Sequence, residues 1–474
     1  IQKNYFPWTL WGFLKTLFSQ IWFLTGSIIV SILGIIFVKV NPFNQEKGRY
    51  WFHVAIARFS KSLIYIMGNV KKTIVNPLSE NFQKPAIIIC NHQSELDNFL
   101  MMMQYPKLIL LTNDRVRSAP VSGAIARMAD YYSASAGIEN SLPAIEKKVE
   151  QGYSVVIFPE GTRSADGAVG RFHKGAFYLA EKLNLDILPV VIHGSGYTLS
   201  KNDILVKNGK ITIQYLPRIT PDDTKFGSGY RERAKSVRQY ISREYEKLRA
   251  RLEDISWFRE QLFYNYIYKG PVLEWYMRVK VRLEKDYKPI HNLLPQKGRL
   301  LDLGCGYGFM SYMLHFAAGD RDILGIDYDE EKIGVAAHCF SRNTRIRFEY
   351  ADVMKISLEK YDGIIMADML HYLTPEQQSS LIEKCLLSLN ENGVLLIRDG
   401  DKDLQEKHKG TELTEFFSTR LLHFNKTAET GLSFLSGSMI TELADRHGFT
   451  CKRIDETKYT SNVIFVIQNQ PRVS

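Results

Sequence analysis

The segment that most constrains the fold of this chain is residues 300–308, where a short apolar run leads into three glycines at alternate positions. It reads Leu300-Leu301-Asp302-Leu303-Gly304-Cys305-Gly306-Tyr307-Gly308. This pattern is typical of a buried strand followed by a tight turn, because glycine adopts backbone conformations that other residues avoid and lets a ligand approach closely. By itself the loop is also compatible with a dinucleotide site or an ordinary turn. Its Gly-x-Gly-x-Gly spacing differs, however, from the Gly-x-Gly-x-x-Gly of dinucleotide-binding folds.

Four further apolar runs follow this loop, and each ends near a carboxylate. The carboxylates are Asp327, Asp352, Asp368 and Asp399. Ligands of open α/β sheets bind outside the carboxyl ends of the strands, so we expect these groups to lie around one ligand. Asp327 is placed to accept from two ribose hydroxyls, and Asp352 can accept from an adenine amine. Tyr328 is placed to stack on the same ring.

This ordered series resembles the class I S-adenosylmethionine-dependent methyltransferases over residues 291–474. The resemblance implies a Rossmann-like domain with a seven-stranded sheet and S-adenosylmethionine as co-substrate. The cofactor-binding residues that it implies are Asp302, Gly304, Gly306, Gly308, Asp327, Tyr328, Asp352 and Asp368. Candidates for the pocket of the methyl acceptor are His371, Tyr372, Arg398, Asp399 and His408. Methylation of oxygen, nitrogen or carbon stays open, as does a lipid or pigment-type acceptor.

The first half of the chain carries a second feature of this kind. The apolar residues 86–90 lead into Asn91-His92-Gln93-Ser94-Glu95-Leu96-Asp97. Five positions on a regular helix would place His92 and Asp97 on different sides, so they can meet only in a turn that runs into a helix. This geometry suits a general base and its partner. Asp97 would fix the tautomer of the imidazole, whose other nitrogen could take a proton from a hydroxyl.

A second polar loop strengthens this interpretation. Residues 153–157 lead into Phe158-Pro159-Glu160-Gly161-Thr162-Arg163. The two loops together resemble the glycerolipid (lysophospholipid) acyltransferase family. The resemblance implies that His92 and Asp97 form the catalytic unit. It implies an acceptor site formed by Glu160, Gly161, Thr162 and Arg163, with Lys174 as a further phosphate contact. The acyl donor would be acyl-CoA or an acyl carrier protein.

The acceptor site departs from the family in one respect. Many glycerol-phosphate acyltransferases have an Asp-Arg pair whose arginine helps bind the acceptor phosphate, and residues 129–137 of this chain contain no arginine. An arginine suits this task because its guanidinium binds phosphate oxygens in a bidentate way. A hydroxy-lipid, an amino-acid lipid or a pigment-type acceptor is therefore an alternative to lysophosphatidic acid.

The amino-terminal region predicts membrane association. Residues 21–40 contain no charge before Lys39, which is near the lower limit for a spanning helix. A span, an in-plane anchor and a buried hairpin all fit this pattern. We favour attachment to the membrane, because a lipid acyltransferase must reach a substrate held in a bilayer. Lys39 lies at the end of this segment, and Lys47 and Arg49 follow it. These residues favour a cytoplasmic location for the part of the chain that comes next. This predicts catalytic domains on the cytoplasmic face of a bacterial inner membrane.

The charge of the chain suggests acidic partners. The net charge is +10, and residues 231–251 contain eight Lys or Arg against three Asp or Glu. This stretch is either a solvated helix face or a surface that attracts anionic lipid heads or an acidic carrier protein. No nucleic-acid-binding motif is evident. The five cysteines show no paired spacing, which argues against a disulfide framework or a zinc site.

We therefore expect four parts. These are a membrane-associated segment (1–50), an acyltransferase-like α/β domain (51–225), linker and capping helices (226–290) and a methyltransferase-like α/β domain (291–474). The order resembles the carboxyl-terminal part of trifunctional MMPL transporter/acyltransferase/methyltransferase proteins, and the first residue, Ile1, suggests a fragment of such a fusion. The expected function is acylation and methylation of lipid-like acceptors. The alternative is a membrane-attached methyltransferase whose first domain only binds lipid or a carrier protein.

Overall fold

The computed structural model describes residues 9–41, 44–112, 118, 122–133, 137–164, 167–201, 203–284, 287–401, 403, 433–454 and 462–469. Contacts within this part of the chain separate two units, and the boundary lies between Leu252 and Glu253. Each unit contains a seven-stranded, mostly parallel sheet. The prediction of two α/β domains preceded by an apolar helix is thereby confirmed.

The first unit begins with two long helices and continues as an α/β sheet. Its helices are α1 (Leu10–Gly34, continued by a π-helical turn Ile35–Val40), α2 (Gln45–Ile66), α3 (Leu96–Met102), α4 (Ser122–Met128), α5 (Ile138–Glu150), α6 (Gly175–Lys182), α7 (Ser195–Thr198) and α8 (Tyr230–Leu252). Its strands are β1 (Val70–Val75), β2 (Ala86–Cys90), β3 (Leu108–Thr112), β4 (Tyr132–Ser133), β5 (Ser154–Ile157), β6 (Asp186–His193) and β7 (Gly209–Tyr215). The apolar runs of the sequence form the central strands, since β2, β5 and β6 are buried along their whole length.

The strand order of the first sheet explains where its site forms. The order is β1-β7-β6-β2-β5-β3-β4. Connections between parallel strands are right-handed. The connections from β2 to β3 and from β3 to β4 run towards the β4 edge and place α3 and α4 on one face of the sheet. The connections from β4 to β5 and from β5 to β6 run in the opposite direction and place α5 and α6 on the other face. The neighbouring strands β2 and β5 therefore send their following loops to opposite faces, which opens a crevice between their carboxyl ends.

Helix α8 belongs to the first unit, which changes our division of the chain. We expected residues 226–290 to be linker and capping helices. Instead, Val237, Ile241, Tyr245 and Leu248 of α8 are buried in the same core as the first sheet, and the helix packs against α6 and β6. These apolar residues recur at helical spacing and form one stripe, so burial of that stripe fixes α8 on the sheet.

The second unit is a Rossmann-like domain. Its helices are α9 (Arg259–Tyr266), α10 (Pro271–Leu283), α11 (Tyr287–Leu293), α12 (Phe309–Ala317), α13 (Glu330–Ala337), α14 (Pro375–Leu387) and α15 (Gly437–Arg446). Its strands are β8 (Lys297–Leu303), β9 (Asp320–Asp327), β10 (Ile346–Tyr350), β11 (Tyr361–Ala367), β12 (Leu389–Gly400), β13 (Phe449–Ile454) and β14 (Asn462–Asn469). Residues of α9, α10 and α11 share a core with β8 and α12, as expected for capping helices.

The second sheet also has a point at which the direction of its connections reverses. The order is β10-β9-β8-β11-β12-β14-β13, and β8 to β12 run parallel. Successive connections from β8 step outwards through β9 to β10, and the chain then crosses to β11 on the other side of β8. The crevice of this sheet therefore lies between the carboxyl ends of β8 and β11. The last two strands, β13 and β14, pair with each other in antiparallel orientation.

Candidate active sites

His92 and Asp97 meet in the crevice between β2 and β5. The imidazole Nδ1 of His92 lies 3.0 Å from Oδ2 of Asp97. The same oxygen accepts hydrogen bonds from the backbone N–H groups of Gln93 (2.7 Å) and Ser94 (2.8 Å). Asp97 is fully buried in the first turn of α3, whereas the His92 side chain is partly accessible. Three donors thus fix the carboxylate, which in turn fixes the imidazole and leaves Nε2 directed elsewhere.

Glu160 connects the two loops of this crevice. Its Oε1 accepts from the backbone N–H of His92 (2.9 Å), and its Oε2 accepts from that of Gly170 (2.8 Å). The backbone N–H of Ser164 also donates to the carbonyl of His92. Glu160 is buried, and this burial raises the pKa of its carboxyl group. Glu160 was predicted to contact the acceptor, and the structure shows that both of its oxygens position the loops.

Two cations, Arg163 and Lys201, lie at the Glu-Gly-Thr-Arg loop, and sequence reasoning missed Lys201. Arg163 pairs with Glu95 at 3.2 Å. Lys201 Nζ donates to Oγ1 of Thr162 and to the carbonyl of Arg163, both at 3.0 Å. The chain therefore brings a second cation to the Glu-Gly-Thr-Arg loop from a segment beyond β6. Nothing in the local sequence around position 201 distinguishes this lysine from a surface lysine.

Lys174 and Gly161 are both neighbours of His173, Lys174 along the chain and Gly161 in space. Lys174 is exposed at the start of α6, and its side chain makes no hydrogen bond or ion pair within the described residues. It follows His173, whose backbone N–H donates to the carbonyl of Pro159 at 2.7 Å. Gly161 has φ +67°. A Cβ there would lie 3.3 Å from the His173 ring, so glycine allows the two loops to approach closely.

An apolar cavity of about 230 Å³ leads away from His92 into the first unit. His92, Phe158 and Gly161 line one end, and the Phe158 ring stacks on the imidazole at 4.3 Å. The rest of the wall comes from α1, α2, α3, α4, β3 and Tyr131, with Val30, Ile56, Phe59 and Met102 among its residues. The imidazole thus stands where a polar crevice meets an apolar cavity.

Helix α1 covers this cavity and carries an exposed apolar face. Among the described helices, Leu10–Val40 is the one long and apolar enough to cross a membrane. One side of α1 contacts the first unit over its length: Thr16 accepts from the backbone of Val206, and Gly34 lies against Phe52. The other side is exposed and includes Phe18, Ile21, Leu24, Ile28, Ile29 and Ile32.

The glycine loop of the second unit lies at the carboxyl end of β8. All three of its glycines have positive φ: Gly304 (+70°), Gly306 (+53°) and Gly308 (+76°). A Cβ on Gly308 would lie 2.6 Å from the Phe348 ring, so no other residue fits without a shift. The loop therefore depends on glycine for both its conformation and its packing.

Two buried aspartates hold this loop in place. Oδ2 of Asp327 accepts from the backbone N–H of Gly306 (2.8 Å), and Oδ1 accepts from that of Asp329 (2.9 Å). Asp302 accepts from the hydroxyl of Ser311 on α12. Burial raises the pKa of Asp302 to about 7, and the nearby Asp327 contributes to the rise. Asp302 thus lies beneath the loop, whereas Asp327 lies at its edge.

The other predicted cofactor residues surround the same crevice. Tyr328 is half exposed next to Asp327. Asp352 follows β10, and the backbone N–H of Met354, which donates to it, is the main cause of its lowered pKa. Asp368 follows β11 with φ +53° and pairs with Arg398 at 3.1 Å. Arg398 also pairs with Glu284 at 3.0 Å, a contact that no local sequence pattern predicts.

Of the candidates for the methyl-acceptor pocket, His371 and Asp399 form a buried pair. Nδ1 of His371 lies 2.7 Å from Oδ1 of Asp399, and both side chains are buried. Asp399 also accepts from the backbone N–H of Leu370 at 3.0 Å, so it fixes the loop after β11. Tyr372 packs on the His371 ring. His408 lies outside the described residues.

The crevice of the second unit fits S-adenosylmethionine by the chemistry of its donors. The glycine turn exposes backbone to a ligand, and the Asp327 and Asp352 carboxylates can still accept from hydroxyl or amine groups, because each oxygen accepts more than one hydrogen bond. Tyr328 offers an accessible aromatic face. Within the described residues, no group of three or more His, Cys, Asp or Glu could hold a metal ion.

Comparison with known proteins finds a match to a different family model within each unit. Residues 69–193 match the model described as Acyltransferase, and residues 300–393 match the model described as Methyltransferase domain. A 1-acyl-sn-glycerol-3-phosphate acyltransferase of Cocos nucifera is 30% identical over 210 residues, which are 42% of this chain and 66% of that protein. Its counterpart from Limnanthes alba is 34% identical over 151 residues, 31% of this chain and 54% of that protein. The matches thus span between half and two thirds of these relatives.

Solved structures resemble each unit in turn. The crystal structure of the 1-acyl-sn-glycerophosphate (LPA) acyltransferase PlsC from Thermotoga maritima is 25% identical and covers 50% of this chain and 96% of that chain, with a TM-score of 0.43. The structure of magnesium protoporphyrin IX methyltransferase (ChlM) from Synechocystis with bound SAH is 18% identical. It covers 48% of this chain and 99% of that chain, with a TM-score of 0.32.

Proposed function

We propose that the first unit transfers an acyl group from an acyl thioester, acyl-CoA or an acyl carrier protein, to a hydroxyl of a lipid-like acceptor. The observation that carries this proposal is the His92–Asp97 pair at the mouth of an apolar cavity. The cavity suits the acyl chain, since apolar walls favour burial of methylene groups by about 0.8 kcal/mol each. The polar crevice leaves room for the acceptor on the other side of the imidazole.

His92 acts as the general base in this reaction. Nε2 takes the proton of the acceptor hydroxyl while its oxygen attacks the thioester carbonyl, and Asp97 stabilises the resulting imidazolium. The tetrahedral intermediate then releases the thiolate, which takes the proton back from His92 and leaves as a thiol. The products are the ester and the free thiol, so no acyl-enzyme is needed. Glu160 acts by positioning the His92 loop.

Arg163 and Lys201 supply the positive charge that the missing Asp-Arg pair would otherwise provide. Arg163 follows Thr162 in the loop after β5, and Lys201 reaches this loop from a segment beyond β6. They suit a phosphate-bearing acceptor, and the relatives named above act on 1-acyl-sn-glycerol-3-phosphate. An anionic hydroxy-lipid or amino-acid lipid would use the same cations, and a pigment-type acceptor remains the alternative without a phosphate.

The second unit transfers a methyl group to a lipid or pigment-type acceptor. The glycine loop with Asp327, Tyr328 and Asp352 would hold S-adenosylmethionine, which would supply the methyl group. This chain would contribute mainly proximity, because the crevice between β8 and β11 would bring donor and acceptor together. The Arg398–Glu284–Asp368 cluster borders that crevice and would orient the acceptor.

Membrane lipids are the proposed partners of α1. Its contacts at Thr16 and Gly34 are 18 residues apart, which is about 27 Å along a helix. A helix held to one domain over that length, with an apolar outer face, is placed to lie in the plane of the membrane surface. The proposed location is the cytoplasmic face of a bacterial inner membrane, with an MMPL-type exporter, fused or associated, as a further partner.

The test is a donor and acceptor panel with the full chain in lipid nanodiscs, comparing wild type, His92→Ala and Asp327→Ala. Acyl transfer should fall at least about 100-fold in His92→Ala, since a general base contributes that much, while S-adenosylmethionine binding stays within twofold. Asp327→Ala should show the reverse. Absence of acyl transfer from both donors in the wild type, together with intact S-adenosylmethionine binding, would support the alternative of a methyltransferase with a non-catalytic lipid-binding half.

A further inference from the structure

The exposed side of α8 carries a large excess of positive charge. Its accessible cations are Arg231, Lys235, Arg243, Lys247, Arg249 and Arg251, which we call the cationic face. The exposed acids of this helix are Glu232 and Glu246. Lys247 pairs with Glu244 at 2.8 Å, and Arg249 pairs with Glu246 at 3.8 Å.

Four of these cations are not neutralised within the described residues. Arg231, Lys235, Arg243 and Arg251 have no carboxylate within ion-pair distance there. Arg231 and Arg251 instead make hydrogen bonds to neutral groups, the hydroxyl of Tyr230 and the side chain of Gln214. Cations without an internal carboxylate keep their net charge and are available to an acidic molecule from outside.

A depression of about 420 Å³ lies beside the cationic face. Its lining, as far as the described residues show, contains two cations and no carboxylate. The residues are Lys225, Phe226, Ser236, Gln239, Tyr240 and Arg243. A concave polar surface next to a row of cations could receive an acidic side chain or a phosphate.

Two hydrogen bonds connect α8 with the proposed acyl-transfer site. The hydroxyl of Tyr245 accepts from Nε2 of Gln93, the residue after His92, at 2.7 Å. Nε of Arg238 donates at 2.7 Å to the carbonyl of Gly170, whose N–H donates to Glu160. The helix that carries the cationic face therefore borders the loops around His92.

The position of α8 in the fold argues against lipid head groups as the occupant. Helix α1 packs against α2 and α4, on the face of the sheet that also carries α3. Helix α8 packs against α6, on the opposite face. When the apolar side of α1 lies on a membrane, the cationic face therefore points away from the bilayer. The occupant must come from solution.

The length of the cationic face distinguishes a protein from a nucleotide. From Arg231 to Arg251 the helix rises about 30 Å, whereas the negative charges of coenzyme A are clustered on the phosphates at one end of the molecule. We propose that the cationic face docks an acidic acyl carrier protein, which presents its acyl thioester to His92. This inference rests on the proposed acyl-transfer function and names its donor. Charge complementarity of this kind speeds encounter and selects the partner.

The test compares two donors with the same acyl chain, a bacterial acyl carrier protein and coenzyme A, on the full chain in nanodiscs. Lys235→Glu and Arg243→Glu reverse charges on exposed side chains of the cationic face. Lys297→Glu makes the same change on an exposed lysine of the second unit and serves as the matched control. For each variant we expect KM for the acyl carrier protein to rise roughly fivefold or more, with the effect shrinking at high salt. We expect kcat, and all kinetics with acyl-CoA, to stay within twofold.

Three results would overturn the docking proposal. One is an unchanged KM for the carrier protein. Another is an equal rise in KM for both donors, which would indicate a nucleotide site. The third is a change confined to binding of phosphatidylglycerol vesicles, which would make the lipid surface the partner. Fluorescence anisotropy with labelled carrier protein on His92→Ala measures docking without catalysis. Failure of the acyl-transfer function can therefore be told apart from failure of docking.

Discussion

At the scale of single residues, Asp97 shows how one buried carboxylate organises the first site. Its Oδ2 receives two backbone N–H groups in addition to the imidazole of His92. The backbone donors hold the carboxylate whether or not the imidazole is charged. The orientation of His92 is therefore set before an acceptor binds, which is the arrangement that general-base catalysis requires.

Replacing Asp97 with Asn should preserve the shape of this turn and remove its charge. We expect the rate of acyl transfer to fall by about 10²- to 10⁴-fold, because the imidazolium formed in the reaction loses its stabilising carboxylate. Initial rates at saturating donor measure the effect, with thermal unfolding as a check on stability. Glu146→Gln is the matched control. It removes an exposed charge on α5, a helix that carries no predicted site residue, and should change the rate by less than about threefold. Equal rates in the two variants would contradict the role of Asp97.

At the scale of elements, α1 and α8 give the first unit two different surfaces. One helix presents exposed isoleucine, leucine and phenylalanine, and the other presents exposed lysine and arginine. Both helices bury one stripe against the same core, and they lie on opposite faces of the sheet. A bilayer at the face that carries α1 and a soluble donor at the face that carries α8 would thus both reach the crevice at the carboxyl ends of β2 and β5.

Charges on the outer side of α1 should weaken membrane binding without unfolding the protein. Ile28 and Ile32 are 55% and 52% exposed. Asp at either position should lower partitioning into lipid vesicles roughly tenfold, because it removes an apolar side chain that burial would favour by about 1.5–3 kcal/mol. Sedimentation with vesicles measures the partitioning. Leu387→Asp, at a 66% exposed position of the second unit, is the control. A loss in Leu387→Asp as large as that in Ile28→Asp would refute in-plane insertion of α1.

At the scale of the whole molecule, the two units bury titratable groups with opposite consequences for stability. Burial lowers the pKa of His53 in the first unit to about 4, with Lys148 contributing to the shift. Burial raises the pKa of Asp302 in the second unit to about 7. His53 takes up its proton more readily in the unfolded chain, and Asp302 takes up its proton more readily in the folded chain.

The two units should therefore respond to pH in opposite directions at these residues. The contribution of His53 is present above pH 6.5 and is lost as the pH falls towards 4, because the unfolded state then binds more protons. The contribution of Asp302 is present at low pH and is lost as the pH rises from about 4 to 7. Hydrogen exchange of peptides in denaturant measures the free energy of unfolding of each unit between pH 4.5 and 8. His53→Leu should make this free energy less dependent on pH in the first unit only. Asp302→Asn should do the same in the second unit only. If the substitutions leave the pH dependence of both units unchanged, His53 and Asp302 are not its origin.

Much of the fold was predictable from local patterns. The apolar runs that precede His92, Glu160 and Gly304 are strands, because a buried parallel strand needs apolar residues on both faces. The glycines at 304, 306 and 308 have the positive φ that only their residue type adopts easily. These features depend on near neighbours in the chain, and a sequence displays near neighbours directly.

Contacts between distant positions were the part that the sequence could not supply. Three hydrogen bonds join residues that are 68, 39 and 114 positions apart. They are the bonds between Glu160 and His92, between Lys201 and Thr162, and between Arg398 and Glu284. The extent of α1 and the assignment of α8 to the first core also required the structure. The sequence by itself determined which strands and loops form and which residue types they carry. Only the tertiary structure decided which loops meet, because strand order and crossover direction, rather than local propensity, bring two strand ends to one crevice.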